Sequence, residues 1–380
     1  MTDLLNRLTK ATAVDFKHAS NMPPEIYYST DFLALEIEDI FRKEWICIGR
    51  TAEIPNAGDY LTFELLDQSV LAIRQKDASI KVFANVCAHR CAKLLEDCGN
   101  SDRIVCPYHA WIYRSDGQLI AAPYMDQTPG FNVKDYRLKE VRWEVWQGYI
   151  YITLNPAAVS VSQRLAGFEK VIGRYRIEDY VHAFTCDDIW PANWKNFIEN
   201  FMDAYHIFKV HKDTFGKYGS AEEATTMHDG DDNFTYHLID TGSMTQSASG
   251  SAPGAAHPDN KCLDGSWRTL TVLGCVFPAH TMQLQSDMLW YVTVQPRGAD
   301  QFRMRWSVSI PPEIMHGIDD PEKYIDDTRE LLNAVNAEDK GIIHRVFQGL
   351  KSNQAAPGPY AYLERNIFHF GRYLARQLTE

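Results

Sequence analysis

Four side chains that bind metals well lie close together in residues 85–113, "NVCAHRCAKLLEDCGNSDRIVCPYHAWIY". They form two pairs, Cys87-x-His89 and Cys106-x-x-His109, and sixteen residues separate the pairs. Thiolate and imidazole groups on two tight turns can grip a metal from opposite sides. The flanking stretches "IKVFANV" and "AWIYRSDGQLI" have the composition of strands. The ligands are therefore expected on loops of a small β-domain.

The order of the ligands distinguishes two kinds of metal site. A zinc finger keeps both cysteines in one turn and both histidines in the other. Here each turn supplies one of each. A Rieske [2Fe–2S] cluster has two thiolates on one iron and two imidazoles on the other, so each loop spans both irons. The mixed order favours the Rieske cluster over zinc, and Cys91 and Cys98 are interpreted as ordinary small residues of the connecting loop.

A second set of donors lies in residues 190–215, "WPANWKNFIENFMDAYHIFKVHKDTF". Apolar residues recur there every three or four positions, which predicts a buried amphipathic helix. These residues are Trp194, Phe197, Ile198, Phe201, Tyr205 and Phe208. Asp203 and His206 share a face of that helix, whereas His211 is turned roughly 140° away from His206. Both histidines can reach one metal only if the helix bends or ends between them.

Two histidines with a nearby carboxylate suggest the facial triad that binds mononuclear Fe(II) and leaves positions open for dioxygen and substrate. The third ligand is expected in residues 321–350, where apolar residues mark one face of a helix. They are Leu331, Leu332, Val335, Ile342, Ile343, Val346 and Leu350. Asp339 falls in the middle of this face, where a carboxylate is costly unless it is paired or bound to metal. Asp339 is therefore the preferred ligand, and Glu338, at the edge of the face, is its competitor.

Composition and charge limit the classes of protein. A chain of 380 residues with 45% hydrophobic content predicts a folded protein of two domains, or of one large domain with an appendage. The net charge of −12 argues against nucleic acid or an anionic membrane as a partner, because both need a basic surface. Neither a signal-peptide pattern nor an apolar run of about 18 residues is found, so a cytosolic location without a membrane segment is expected.

Together, these motifs resemble the oxygenase components, or alpha subunits, of the Rieske non-haem iron ring-hydroxylating oxygenases. The resemblance covers nearly the whole chain through "CAHR", "CPYHAW", "NWKNFIENFMDAYHIFKVH" and "AEDKGIIHRVFQGL", and it is nearest to the members that act on glycine betaine, carnitine and choline. It implies an α+β fold with a small all-β Rieske domain and a helix-grip catalytic domain built of an antiparallel sheet and long helices. The expected divisions are a helical lead-in at 1–40 that packs on the catalytic domain, the Rieske domain at 41–155 and the catalytic domain at 156–380.

The resemblance also implies a role for each donor. It assigns one iron of the cluster to the two cysteines and the other iron to the two histidines of the paired motifs, that is, to Cys87, Cys106, His89 and His109. It assigns the catalytic iron to His206, His211 and Asp339. Asp203 is similar to the family's bridging carboxylate, which joins a cluster histidine of a neighbouring subunit to a histidine on the catalytic iron. The electron path then crosses subunits, and a homotrimer is implied.

The implied activity is oxygenation. Each chain would carry one Rieske cluster and one mononuclear Fe(II), and NAD(P)H and flavin would act through a separate reductase of the flavin and ferredoxin type. Dioxygen and a small organic substrate would give a hydroxylated product, with loss of an alkyl group where the oxidised carbon is attached to nitrogen or oxygen. A quaternary or methylated amine is the favoured substrate, and hydroxylation or dihydroxylation of an aromatic ring is the alternative. The alternative of another class is a non-catalytic electron carrier or sensor.

Three further expectations concern the surroundings of these sites. A quaternary ammonium group favours an aromatic cage, and the candidates are Trp267, Trp290, Tyr291 and Trp306. Residues 219–266 are rich in Gly, Ser, Ala and Asp without lasting periodicity, which predicts a lid over the pocket or an irregular loop. The family often has glycine where Cys91 and Ala110 stand, so these side chains add bulk beside the cluster without removing a ligand.

Overall fold

Strands from the first half of the chain form a unit of their own, which spans residues 43–161. The computed structural model describes residues 1–215, 221–241 and 255–379. The strands of this unit are β1 (Ile46–Arg50), β2 (Asp59–Leu65), β3 (Gln68–Arg74), β4 (Ile80–Ala84), β5 (Cys98–Asn100), β6 (Arg103–Val105), β7 (Ile112–Arg114), β8 (Leu119–Ala121), β9 (Arg142–Trp146) and β10 (Tyr149–Thr153). They form three sheets with the orders β4-β3-β2-β5, β6-β7-β8 and β1-β10-β9.

The core of this unit lies directly under the predicted metal-binding loops. Leu71, Phe83 and Tyr113 are completely buried in it, and Cys87 and Cys106 belong to the same buried cluster. Since interiors are densely packed, the positions of both sulfur atoms are set by the β-domain itself. The small β-domain expected from the sequence is confirmed.

The other unit combines residues 1–42 with 162–380. One antiparallel sheet dominates it, with the order β11-β17-β16-β15-β14-β13-β12. Its strands are β11 (Val181–Trp190), β12 (Thr225–His228), β13 (Phe234–Asp240), β14 (Leu270–Val276), β15 (His280–Leu284), β16 (Leu289–Gly298) and β17 (Gln301–Ile310). An antiparallel sheet with long helices is the architecture expected of the catalytic domain, so the α+β class is confirmed.

The helices of the chain range from one turn to eight turns. They are α1 (Thr2–Thr12), α2 (Thr30–Glu36), α3 (Val161–Arg164), α4 (Ala166–Ile172), α5 (Trp194–Met202), α6 (Ile207–Val210), α7 (Ala221–Ala224), α8 (Pro312–Gly317), α9 (Pro321–Leu350) and α10 (Arg365–Thr379). Within the described ranges, none of them has the length and apolar character needed to cross a membrane.

Local signals explain where the two site-bearing helices begin. The side chain of Asn193 accepts a hydrogen bond from the backbone N–H of Lys195 at the start of α5. Asp320 does the same for Lys323 at the start of α9, where Pro321 occupies the first helical position. Such caps satisfy N–H groups that have no partner within the helix. α5 and α9 pack on each other, and this contact brings distant parts of the sequence together.

The predicted helix over residues 190–215 is shorter than expected. α5 ends at Met202, and Asp203 has the extended angles φ −89° and ψ 108°. Tyr205 and Phe208 were expected on the buried stripe but are 49% and 52% exposed. The stripe predicted for one continuous helix does not apply to them, because α5 has ended and Phe208 belongs to the separate helix α6.

The buried face of α9 also differs in part from the prediction. Leu331 and Val346 are 39% and 47% exposed, whereas Asn336 and Phe347 are buried. A stripe of apolar residues this wide leaves the rotation of the helix uncertain by about one position, and packing decides it. Asp339 is only 7% exposed on the observed face, so its predicted burial is confirmed.

The expectation that residues 219–266 are irregular is wrong in part. Strands β12 and β13 lie within this range and pair from Thr225↔Ile239 to His228↔Tyr236. The alternation of apolar and polar residues that marks a strand is missing from β13, because its buried face includes polar residues. Thr235 and His237 are completely buried on the same face as Ile239. Of the expected lid, residues 219, 220 and 242–254 lie outside the described residues.

A buried ion pair links α2 to α5. Lys195 Nζ lies 2.6 Å from Glu36 Oε1, and both side chains are fully buried. Trp194 Nε1 donates a hydrogen bond of 2.9 Å to the other carboxylate oxygen of Glu36. A buried charge that loses its partner is strongly destabilising, whereas an apolar pair of similar size is tolerated.

We therefore expect Glu36→Ala to lower the free energy of unfolding by about 3–5 kcal/mol, because it leaves the Lys195 ammonium buried without its partner. The control is the double variant Glu36→Leu with Lys195→Met, which should lose much less. Urea unfolding followed by circular dichroism at equal metal content measures both. A double variant as unstable as Glu36→Ala would contradict this explanation.

Candidate metal centres

The two loops of the β-domain have the same backbone turn. The N–H of Cys91 donates to the carbonyl of Cys87, and the N–H of Ala110 donates to that of Cys106, each at 3.1 Å. Cys91 and Ala110 have φ angles of 58° and 55°. Glycine enters this left-handed region freely, whereas a side chain makes it costly. Glycine therefore suits both positions. The two matching hydrogen bonds close the turns although side chains stand there.

The two cysteines form the inner side of the loop pair. Cys87 and Cys106 are 1% and 3% exposed. Tyr113 Oη lies 3.2 Å from Cys87 Sγ and accepts the N–H of Ala88, which leaves its own hydrogen free for the sulfur. Burial raises the pKa of the Cys87 thiol, and nearby Cys106 adds to this, while Tyr113 opposes it. Two buried thiols are therefore held close together and need a cation to become thiolates.

The two histidines form the outer side. The ring centres of His89 and His109 are 4.8 Å apart. His89 stacks on Trp111 at 4.8 Å, and its Nδ1 is buried without a hydrogen-bond partner. A buried imidazole nitrogen without a partner is costly, so this atom fits a metal ligand. Thiols inside and imidazoles outside match a cluster with sulfur ligands on one iron and nitrogen ligands on the other.

The spacing of these four donors also argues against a zinc site. Among the described residues, three donor atoms within 4.8 Å of one another occur only in His206, His211 and Asp339. No three of the four loop donors meet that spacing, so they are spread too widely for one tetrahedral ion. The set fits a two-iron cluster better.

In the larger unit, His206, His211 and Asp339 converge on one point. His206 and His211 flank the one-turn helix α6, directly after the break that ends α5. Their Nε2 atoms are 3.2 Å apart. Asp339 Oδ1 lies 3.1 Å from Nε2 of His211 and 3.5 Å from Nε2 of His206. Two imidazoles and one carboxylate on one side of a point form the facial set that suits Fe(II).

Carboxylates also lie behind both imidazoles. Glu338 Oε2 is 2.8 Å from Nδ1 of His211 and accepts a hydrogen bond of 2.8 Å from Thr214. Asp203 Oδ2 is 3.3 Å from Nδ1 of His206. A hydrogen-bonded carboxylate such as Glu338 orients a metal-binding imidazole and increases its basicity. Asp203 acts on His206 through its charge, because Nδ1 of His206 makes no hydrogen bond. Asp339 and Glu338, the two competitors in the sequence, thus lie on opposite sides of His211.

The charged side chains of this site shift one another's pKa in the direction opposite to the effect of burial. Burial lowers the pKa of His206, but Asp203 and Asp339 more than offset this and raise it to about 10. Burial raises the pKa of Asp339, but the two histidines outweigh it and hold that pKa well below its usual range. Asn200 Nδ2 donates a hydrogen bond of 2.9 Å to Asp339 Oδ1. Both carboxylates thus favour the charged form of the His206 imidazole, and a divalent cation would compete with that proton.

A cavity of about 240 Å³ lies beside the three donors. Of the four aromatic residues predicted to form a cage, Trp290 lines it and Trp267, Tyr291 and Trp306 do not. Tyr291 points to the other face of the sheet, as expected for the strand residue next to Trp290, and its Oη accepts from Arg305. Trp267 lies outside the strands and under the guanidinium of Arg174, at 3.8 Å.

Trp306 is a core residue of the sheet, with its ring centre 6.2 Å from that of Trp290. Asn200, Thr214 and Asp287 are neighbours of the site that the sequence pattern does not indicate: Asn200 contacts Asp339, Thr214 contacts Glu338, and Asp287 lines the cavity. The sequence could have indicated Asn200, since in the predicted helix it lies one turn before Asp203 on the same face. A single Asp in a predicted strand connection, such as Asp287, carries no such signal.

Two family descriptions match the chain. "Rieske [2Fe-2S] domain" matches residues 44–137, and "Ring hydroxylating alpha subunit (catalytic domain)" matches residues 172–380. Each match contains one of the two candidate centres.

Two relatives and one solved structure agree with these matches. The oxygenase subunit of carnitine monooxygenase from Escherichia coli (strain K12) is 33% identical over 198 residues, which is 51% of this chain and 53% of that subunit, so this match spans about half of each protein. The oxygenase subunit of glycine betaine monooxygenase from Pseudomonas aeruginosa (strain UCBPP-PA14) is 28% identical and covers 94% of this chain and 90% of its own.

The fold is similar to a solved structure of the quaternary ammonium Rieske monooxygenase CntA, with a TM-score of 0.80 at 22% identity over 97% of this chain and 98% of that one. At this identity the likeness concerns the fold. More than half of the chain matches the description of the catalytic domain, and a Rieske domain precedes it. The chain therefore belongs to the family of ring-hydroxylating oxygenase alpha subunits.

Proposed function

We propose that the chain is the oxygenase component of a Rieske-type enzyme system. It uses dioxygen and electrons from NAD(P)H, delivered by a separate flavin- and ferredoxin-type reductase, to hydroxylate a small organic substrate. A methylated or quaternary amine is the favoured substrate, with N- or O-dealkylation where the hydroxylated carbon carries nitrogen or oxygen. The observation that carries the proposal is the convergence of His206, His211 and Asp339 beside a cavity.

The β-domain supplies the electron-storage site. Cys87 and Cys106 would hold one iron of a [2Fe–2S] cluster, and His89 and His109 the other. Such a cluster takes up and releases single electrons. Tyr113 is placed to donate a hydrogen bond to the Cys87 sulfur, which stabilises its negative charge. The exposed side of His109 leaves one edge of the site accessible to a partner.

The larger unit supplies the oxygenation site. His206, His211 and Asp339 would hold a mononuclear Fe(II), which activates dioxygen when it is bound. Glu338 would keep Nε2 of His211 directed at the metal by holding Nδ1 on the other side of the ring. Asn200 would orient the carboxylate of Asp339. Phe201, Leu273 and Val335 supply an apolar part of the cavity wall against which a substrate would pack.

We assign Asp203 to the electron-transfer bridge in a homotrimer. In that arrangement it would bind the outer nitrogen of His206 and a cluster histidine of a neighbouring subunit. Its contact with His206 at 3.3 Å supports the first half of the role. The exposed rings of Tyr205 and Phe208, close to Asp203 in the chain, support a protein contact there.

Two alternatives have different support. Oxidation of an aromatic ring is favoured by the apolar part of the cavity wall, which includes Phe201, Leu273 and Val335. A non-catalytic electron carrier or sensor would not need a second metal group opening on a cavity of substrate size. The content of the second iron site separates this option from both kinds of oxygenase.

Asp339→Ala should lose the mononuclear iron and keep the cluster, because it removes the carboxylate on which both Nε2 atoms converge. Wild-type protein purified without oxygen should contain about three irons and two sulfides per chain, and the variant about one iron less. Iron and acid-labile sulfide analysis measures this. The matched control is Glu338→Gln, which should keep the iron; the reverse result would make Glu338 the ligand.

His109→Ala should bleach the cluster, because it removes one of two nitrogen ligands on an exposed iron. Visible absorption and the low-temperature EPR signal of the reduced protein measure the loss, and iron at the second site should remain. His369→Ala is the control, since His369 is outside both centres and contacts Asp229. An unchanged Rieske signal in His109→Ala would remove this residue from the ligand set.

Asp203→Asn should keep both metals and lower turnover by about 10- to 100-fold, because it weakens the partner that orients His206 and closes the proposed bridge. Single-turnover product formation with a pre-reduced cluster measures transfer between the centres. Asp213→Asn, on the surface nearby, is the control. Full turnover in Asp203→Asn would exclude the bridge.

A further inference from the structure

Three neighbouring strands place a pair of polar side chains against the cavity beside the metal group. In the register of the sheet, Gln283 of β15 lies between Leu273 of β14 and Trp290 of β16. Residues directly opposite each other on antiparallel strands share one face of the sheet, and their Cβ atoms are about 4.5–5.5 Å apart. All three side chains line the cavity, which the three metal-binding donors line as well. Gln283 and Trp290 can therefore contact the same small group of a bound molecule.

Polar atoms on this face lack hydrogen-bond partners within the described part of the chain. Trp290 is 3% exposed, its ring packs against that of Phe201, and its Nε1 has no partner. The side-chain amide of Gln283 makes no hydrogen bond to the described residues. Thr271, on the same face of β14 as Leu273, is 2% exposed and has an unpaired Oγ1. A buried polar group without a partner costs free energy that a bound molecule can recover.

The hydrogen-bonding capacity of the pair indicates which group it would bind. The indole N–H of Trp290 can only donate, whereas the amide of Gln283 can donate through Nε2 or accept through Oε1. A hydroxyl group has one donor and two acceptor positions, so it can accept from Trp290 and donate to Gln283 at the same time. A plain alkyl group in the same place would cover both polar groups and leave them unpaired.

On the basis of the proposed function, we propose that Gln283 and Trp290 determine specificity by binding a hydroxyl group that the substrate already carries. The substrate class is then a small alcohol, such as a hydroxyalkyl amine or an aryl alcohol. Since the metal-binding donors line the same cavity, a hydroxyl group bound at the sheet limits which carbon faces the metal. A site that forms hydrogen bonds with a substrate hydroxyl discriminates strongly against the analogue that lacks it.

Two matched pairs of probes test this inference, and the members of each pair differ by one hydroxyl group. Choline is compared with ethyltrimethylammonium, and benzyl alcohol is compared with toluene. Dissociation constants are measured by calorimetry on metal-loaded protein without oxygen. Wild-type protein should bind the alcohol of at least one pair about tenfold more tightly than its matched partner, which is the effect of about one net hydrogen bond.

Two variants test the residues. Gln283→Leu removes the amide and keeps a side chain of similar size, and Trp290→Phe removes the N–H and keeps an aromatic ring. Each should remove most of the roughly tenfold preference for the alcohol, because each removes one hydrogen-bonding partner. A merely structural role would weaken both members of a pair equally. The matched control is Gln301→Leu, at an exposed glutamine of β17, which should keep the preference.

The inference is overturned if wild-type protein binds neither alcohol, or binds each alcohol no better than its matched partner. It is also overturned if either Gln283→Leu or Trp290→Phe keeps the wild-type preference. Iron analysis of the same samples separates this inference from the proposed function. Missing mononuclear iron in wild-type protein contradicts the proposed function, whereas full iron without a preference for the alcohol contradicts only the role of Gln283 and Trp290.

Discussion

The end of α5 at Met202 is the constraint on which the oxygenation site depends. In a continuous helix, His206 and His211 would face directions roughly 140° apart. The chain instead leaves the helix at Asp203, whose Oδ1 accepts the backbone N–H of Tyr205 at 2.6 Å. A side chain that bonds its own backbone two residues ahead competes with the helix and stabilises the turn. The same residue thus ends the helix and lies behind the first histidine.

Burial and charge then reinforce that geometry. Asp339 and the two histidines are mostly shielded from water, where unpaired charges are costly. Each imidazole has a carboxylate on its outer nitrogen, so both inner nitrogens are left for the centre. Glu338 and Asp339 are adjacent on α9 and therefore differ by about 100° in direction. One rotation of α9 places Asp339 at the centre and Glu338 behind His211.

The cluster loops depend on backbone conformation and core packing instead. Cys91 and Ala110 are both held in the left-handed region, at a cost of about 1–2 kcal/mol each. Such strain persists where the surrounding structure determines the conformation. Here the buried cysteines that precede them belong to the core of the β-domain, and the turns are closed by matching hydrogen bonds. The packing and hydrogen bonds of the unit thus position two pairs of donors.

The sequence by itself determined the donor types, their spacing and the fold class, because ligand chemistry and strand or helix pattern are local properties. It also indicated Asp339, because a carboxylate within an apolar stripe is a local anomaly. Only the tertiary structure decided which face of α9 is buried, where the iron helix ends, that β13 buries polar Thr235 and His237, and that Trp290 alone of the predicted cage lines the cavity. Those properties depend on packing between segments far apart in the chain, and Asp287 meets the cavity only through such packing.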